Sequence, residues 1–132
     1  MSETSASNLL GTEPALRTIA MPADTNPNGD IFGGWLLSQM DLAGGTVAVR
    51  RAKGRVVTVS VTSMTFKRPV FIGDEVTCYT ELVKTGRTSI TVRIETWVKR
   101  GRGSESIPVT EGVFTYVAID ENRQPRPLPP AD

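Results

Sequence analysis

Two hydrophobic periods divide this chain near Gly54. Ahead of it, Trp35, Leu36, Leu37, Met40, Leu42, Ala43, Val47 and Ala48 leave almost no polar side, and their spacing predicts one helix from Gly33 to about Ala52. A helix apolar on nearly every face is expected to be buried. Arg50, Arg51 and Lys53 at its end suit the negative pole of the helix dipole, and Gly54 is a natural stop. Beyond Gly54 the pattern alternates. Val57, Val59 and Val61 are separated by Thr58 and Ser60; Val76, Cys78, Thr80 and Leu82 by Thr77, Tyr79 and Glu81; Ile90, Val92, Ile94, Thr96 and Val98 by Thr91, Arg93, Glu95 and Trp97. A last run covers Val113 to Ile119, and Pro14 to Met21 is a candidate first strand. Turn signals at Gly73-Asp74 and Thr85-Gly86 leave short connections, which favour an antiparallel meander. Strands this long twist and coil, so the expectation is an α+β fold in which a curved sheet wraps around one long central helix. A ferredoxin-like arrangement needs a second helix, for which the sequence offers no candidate.

The segment Pro22-Ala-Asp-Thr-Asn-Pro-Asn-Gly-Asp30 is rich in residues that bond their own backbone or tolerate unusual dihedrals, so an irregular loop should lead into the helix. With 132 residues the chain is read as one domain over residues 13–121, an N-terminal extension over 1–12 and a Pro-rich tail over 122–132. Met1 to Asn8 is small and polar, without the features of a secretory leader, and no run approaches the length that spans a bilayer. A cytoplasmic setting is the expectation. The tail, Arg123-Gln-Pro-Arg-Pro-Leu-Pro-Pro130, has no hydrophobic period and few amide donors, and reads as an extended surface segment.

Composition narrows the chemistry. Fifteen Lys and Arg against fourteen Asp and Glu give a net charge of +1, with no overall field to favour nucleic acid or an anionic membrane. Histidine is absent, which removes Ser-His-Asp and Cys-His nucleophile pairs, histidine zinc sites and imidazole proton shuttles. The single cysteine, Cys78, excludes an intrachain disulfide and any multi-cysteine metal site. Any catalysis must use carboxylates, hydroxyls, amides, backbone groups or cations.

One acid stands out. Between Ile31 and Gly73 the only acidic residue is Asp41, mid-helix between Met40 and Leu42, where aspartate is a poor helix former and costly to bury as a charge. Helical spacing puts it on a line of small and polar residues with Gly34, Ser38 and Gly45. Two readings stand side by side: a structural carboxylate pairing with a loop or an arginine, or a catalytic one. The helix start bears on the choice. After Asn26, Asn28 and Asp30, the helix opens on Gly33 and Gly34, whose amides have no intrahelical acceptors and are suited to hold a carbonyl oxygen that gains negative charge. Paired with a nearby carboxylate, they outline an acyl-transfer site.

The stretch Asn26-Pro-Asn-Gly-Asp-Ile-Phe-Gly-Gly-Trp-Leu-Leu-Ser-Gln-Met-Asp41 closely resembles the motif of bacterial acyl-CoA thioesterases of the hot-dog superfamily, YciA type. The resemblance extends through Gly54-Arg-Val-Val-Thr-Val59, Phe66 to Asp74, Gly86-Arg-Thr-Ser89 and Val113-Phe-Thr-Tyr-Val-Ala118. It implies the hot-dog fold and hydrolysis of an acyl-CoA thioester to free acid and coenzyme A, with no cofactor beyond the coenzyme A of the substrate. Asp41 is then the general base or the nucleophile, Asn26 orients water or substrate from a facing subunit, and the amide of Gly34, with Gly33, forms the oxyanion hole. The same resemblance implies self-association, with sites between the two subunits of a dimer and further assembly typically to a hexamer. A thioester is electrophilic and a thiolate leaves readily, so a carboxylate with electrostatic help suffices without histidine.

Coenzyme A presents phosphates that call for Arg, Lys and backbone donors. The hairpin turn Lys84-Thr-Gly-Arg-Thr-Ser89 holds two cations and three hydroxyls, and the resemblance places it along the path of the pantetheine and nucleotide. Arg87 is the leading phosphate ligand, Lys84, Gly86, Thr88 and Ser89 accompany it, and Arg68 is a secondary candidate. Arg100 to Arg102 read as an ordinary charged loop. Phe32, Trp35, Met40, Met64 and Phe66 are the acyl-pocket candidates, each also suited to the core. The alternative to an enzyme is a non-catalytic acyl-CoA-binding or sensing protein, against which Asp41 and Asn26 argue. A dehydratase lacks its histidine, and a DNA-reading regulator lacks room for a helix-turn-helix.

Overall fold

A computed structural model of the chain describes residues 8–132, so residues 1–7 of the N-terminal extension lie outside the described residues. A short first strand, β1 (Leu16–Ile19), leads through a single 3-10 turn at Pro22–Asp24 to the helix α1 (Gly33–Ala52), and four long strands follow: β2 (Val56–Phe66), β3 (Glu75–Thr85), β4 (Ser89–Lys99) and β5 (Ile107–Ala118). They form one antiparallel sheet in the order β1-β3-β4-β5-β2. The helix and the meander stand where the two hydrophobic periods predict them, and the architecture is the hot-dog fold.

Alternation decides which side chains meet the helix. Cys78 of β3, Ile90, Val92 and Ile94 of β4, and Phe114 and Tyr116 of β5 face inward onto Met40, Ala43 and Ala48 of α1. A second cluster of Ala20, Ile31, Leu36, Val70, Val76, Val98 and Val109 closes the core around the helix start. The small residues of α1 let it sit close to the sheet. A methyl group at Gly44 would lie 2.7 Å from Ile94 Cδ1 and would collide with the Tyr116 hydroxyl.

Four features differ from the sequence expectations. The helix is not buried on all sides: Leu36, Met40, Ala43, Gly44, Ala48 and Ala52 are buried, while Leu42 is 60% and Val49 46% exposed. An apolar second face of α1 is therefore left uncovered in the single chain. β5 begins at Ile107, six residues ahead of the alternating run at Val113, because a register shift at Thr96/Trp97 opposite Pro108 disguises its period. The helix closes with Lys53 in the left-handed conformation (φ 54°), and Gly54 is small for another reason, since a Cβ there would stand 2.6 Å from the Arg126 guanidinium. Arg100 is not an ordinary loop cation. Its Nε donates to both carboxylate oxygens of Asp74 at 3.1 Å, its Nη2 to the Pro69 carbonyl at 2.8 Å, and its guanidinium lies 4.5 Å from the centroid of the Phe71 ring.

The sheet has an unusual edge. β2 lies at the end of the order with only β5 beside it, and its side chains are exposed along most of its length, including Val59 at 54% and Phe66 at 55%. A long, apolar, unpaired edge is a template for another strand.

Candidate active site

The loop before the helix is organised by one asparagine. Asn26 Oδ1 accepts the N–H groups of Asn28 (2.9 Å) and Asp30 (3.1 Å), while the Asn26 N–H donates to the Asp30 carbonyl (2.7 Å) and its carbonyl accepts from Gly29 (2.9 Å). Gly29 takes φ +87°, the left-handed conformation this tight turn requires. The side-chain oxygen of Asn26 is thus consumed in the loop, whereas its Nδ2 group has no partner among the described residues and remains free to donate. The Phe32 N–H donates to the Asp24 carbonyl and turns the chain into α1. Gly33 and Gly34 follow, both exposed, with amides that precede the first intrahelical bonds. Nothing lies within 4 Å of where a Cβ at Gly34 would stand.

Two turns further on, Asp41 stands half-buried at the margin of the helix facing β2. Thr58 of β2 donates its hydroxyl to Asp41 Oδ1 at 2.7 Å, a charge-assisted bond that selects one carboxylate orientation. From β5, the Tyr116 hydroxyl donates to the backbone carbonyl of Asp41 at 3.0 Å. Burial first, and then the negative charge of Asp41 beside it, push the Tyr116 phenol above its ordinary range, so it remains a protonated donor. Thr58 ties the carboxylate to the sheet, and Tyr116 ties the helix backbone to it. Among the predicted partners of Asp41, Gly34 and Gly45 do share its side of the helix, and neither has a neighbour within 4 Å of a would-be Cβ.

A cavity of about 640 Å³ opens beside the carboxylate, lined by Asp41, Leu42, Gly45, Thr46, Val49, Arg50, Val56, Thr58 and Tyr116. None of the five acyl-pocket candidates lines it. Met40 is fully buried in the core and Met64 packs against the same cluster, Trp35 packs on the second cluster, and Phe32 and Phe66 are exposed near the helix start, Phe66 against Gly33. Arg68 belongs to that same region, lining a separate hollow with Gly33 and Phe66. Thr58, Tyr116, Thr46 and Arg50 were not singled out by sequence. A threonine in an alternating strand, or an arginine at a helix end, carries no local mark of what it will face.

The turn predicted to meet coenzyme A lies at the Asp41 end of the sheet. Ile90 pairs with Tyr116 and Tyr116 with Thr58, and one residue earlier Ser89 pairs with Val117. Beyond Ser89 the turn closes with the Gly86 N–H on the Ser89 carbonyl (2.9 Å) and leaves Lys84 and Arg87 exposed. Asn26, Gly33, Phe66 and Arg68 cluster instead towards the other end of β2, since eight residues of strand separate Thr58 from Phe66, or about 26 Å. One chain therefore holds two half-collections of site residues at opposite ends of its exposed edge. Among the described residues no group of three or more His, Cys, Asp or Glu side chains is placed to hold a metal ion, and no helix is long and apolar enough to cross a membrane.

Comparison with known proteins is consistent with this geometry. Residues 28–105 match the model of the thioesterase superfamily. The acyl-CoA thioester hydrolase YciA of Salmonella typhimurium is 59% identical over 121 residues, covering 89% of this chain and 90% of that protein. A hexameric thioesterase of Yersinia pestis superposes with a TM-score of 0.88 at 57% identity, over 93% of this chain and 100% of that one. A hexameric broad-specificity acyl-coenzyme A thioesterase, crystallised as an aspartate-to-alanine mutant, superposes with a TM-score of 0.85 at 50% identity, over 89% of this chain and 86% of that one.

Proposed function

Since the chain belongs to the thioesterase superfamily, among the YciA-type acyl-CoA thioester hydrolases, we propose that it cleaves acyl-CoA to free acid and coenzyme A with Asp41 as general base. The observation that carries the assignment of Asp41 is its bond from Thr58 beside an open cavity: a carboxylate held in one orientation where a water molecule can reach it.

The chemistry balances without a cofactor. Water gives its proton to the Asp41 carboxylate as its oxygen bonds to the thioester carbon. The carbonyl oxygen becomes an oxyanion held by the Gly34 amide, with Gly33, at the positive pole of α1. Collapse breaks the carbon–sulfur bond, and the departing coenzyme A thiolate takes up the proton from Asp41.

The two half-collections are united by a second copy. Antiparallel pairing of β2 with its counterpart about a twofold axis sets the Thr58 end of one strand against the Phe66 end of the other. The Asp41, Thr58 and Arg87 region of one protomer then meets the Asn26 loop, Phe32, Phe66 and Arg68 of its partner, and the exposed Leu42 and Val49 face of α1 gains a cover. Asn26 contributes its free Nδ2 group across that boundary. Dimers of this kind assemble further as a trimer of dimers. Arg87, with Lys84, Gly86, Thr88 and Ser89, receives the phosphates of coenzyme A.

The test is thiol release from acyl-CoA substrates of graded chain length. Turnover on at least one length is expected, and tight binding with no turnover on any would establish a sensor instead. A single turnover in ¹⁸O-water separates the two roles of Asp41. Label in the acid alone fits a base, and label in Asp41 requires a covalent acyl-aspartyl intermediate.

A further inference from the structure

The Pro-rich segment after β5 does not run free. A turn at Asp120 reverses it: Asp120 Oδ1 accepts the N–H groups of Asn122 (2.8 Å) and Gln124 (2.9 Å), and Arg123 takes the left-handed conformation at φ 62°. The chain then returns beside its own strand, with Pro125 bridged to Ile119 and the Arg126 N–H on the Ala118 carbonyl at 2.9 Å. Arg126 reaches two further carbonyls, Ile119 at 3.1 Å through Nε and Ala52 at the end of α1 at 2.9 Å through Nη2. Arg51 donates back to the Pro129 carbonyl at 2.7 Å, and Leu128 packs against the main core. These bonds account for the glycine at position 54, where any side chain would displace the Arg126 guanidinium.

What this return accomplishes is visible in the ladder beside β4. The last N–H of β5, on Ala118, donates to the Thr88 carbonyl at 2.9 Å, and there the strand ends. The next carbonyl, that of Arg87, accepts the Leu128 N–H at 2.9 Å. The tail thus extends the sheet by one rung, onto the residue that carries the leading phosphate-binding side chain. On its other side the turn has little support, because β1 pairs β3 only as far as Cys78, and Leu82 to Thr85 are exposed.

We propose that residues 125–132 are a positioning element for the coenzyme A turn, holding the Arg87 backbone through the Leu128 N–H while Arg126 and Leu128 anchor the return to α1 and the core. Ordering a hairpin tip costs conformational entropy at each binding event, and a tip already held in place avoids that cost. The inference rests on the proposed contact between Arg87 and the phosphates. It does not place the tail in contact with substrate, and it makes the tail specific for the nucleotide half of the ligand rather than for the thioester.

The test compares one acyl group on coenzyme A with the same acyl group on pantetheine, which lacks the nucleotide. A chain ended at Pro127, and separately the full-length Leu128→Ala variant, are assayed beside the wild type and Arg87→Ala. For the shortened chain, KM for the acyl-CoA should rise on the order of fivefold, as expected for one backbone hydrogen bond, with kcat and all constants for the pantetheine ester within twofold. Leu128→Ala should show the same split to a smaller extent and covers the case in which shortening prevents folding. An unchanged KM in both variants while Arg87→Ala raises it would overturn the tail's role and leave the phosphate reading standing. Equal losses on both esters would overturn it in favour of a general structural role. If Arg87→Ala leaves KM for acyl-CoA unchanged, the phosphate reading fails and the inference with it.

Discussion

Replacing Thr58 by valine removes the hydroxyl that donates to Asp41 Oδ1 and keeps the branched shape that β2 accommodates. The bond lost is 2.7 Å long and has a charged acceptor. Such bonds are worth about 1.5–3 kcal/mol. Thr58 is exposed in the single chain, so water can take its place at part of that value, and the lower end applies. About 1.4 kcal/mol in the transition state is a tenfold fall in kcat. The expected result is therefore kcat down about tenfold with KM within twofold, measured by steady-state thiol release, and largely restored in Thr58→Ser. If Thr58→Val keeps kcat within twofold of wild type, the tether does not orient the reacting carboxylate, and the chemical reading of that contact is wrong.

Four other outcomes follow from the same structure. Val61→Asp puts a charge on the exposed edge of β2, and sedimentation should show the assembly reduced to monomers with hydrolysis lost in parallel; an intact, active oligomer would disprove pairing through that edge. Burial pushes the Cys78 thiol up to about 11 from 9.0, opposed by its bond with Thr96, so a thiol reagent at pH 8 should find no fast-reacting group until the protein is unfolded. Because the folded value is the higher one, this thiol's contribution is intact below pH 9.0 and is lost as the pH rises towards 11, which urea titrations across that range would register. Arg100→Ala leaves the Asp74 carboxylate, 2% exposed, without its cation, and should lower unfolding free energy by about 3 kcal/mol in denaturant melts; a change below about 0.5 kcal/mol would contradict the pairing.

How much of this was legible in the sequence depended on whether the signal was local. Helix α1 was legible because turn formers end at Gly33 and the apolar run begins at once, and Asp41 because an acid interrupts that run. The strands were legible where side chains alternate, and β5 was misjudged only where a register shift breaks the alternation. Thr58 and Tyr116 were not legible as partners of Asp41. They lie 17 and 75 residues from it, and only the crossing of α1 over the sheet makes them neighbours. The tail was hidden for a related reason. Its docking uses backbone amides and carbonyls and two arginines, Arg51 and Arg126, none of which leaves a periodic trace, so proline content alone suggested a loose end. The apolar candidates failed to gather around Asp41 because hydrophobicity marks core and pocket alike. Phe32 and Phe66 lie near the helix start, at the far end of β2 from Thr58, and only the proposed pairing with a second copy would bring them to an Asp41.

The central claim is that one carboxylate in a helix performs the hydrolysis, and Asp41→Asn tests it most directly. The amide keeps the shape and can still accept the Thr58 hydroxyl through its oxygen, but it cannot take a proton from water. With oligomeric state and melting temperature matched to the wild type, kcat on acyl-CoA should fall by a factor of about 10² or more, the range general-base catalysis supplies. Wild-type turnover by the asparagine variant would contradict the account.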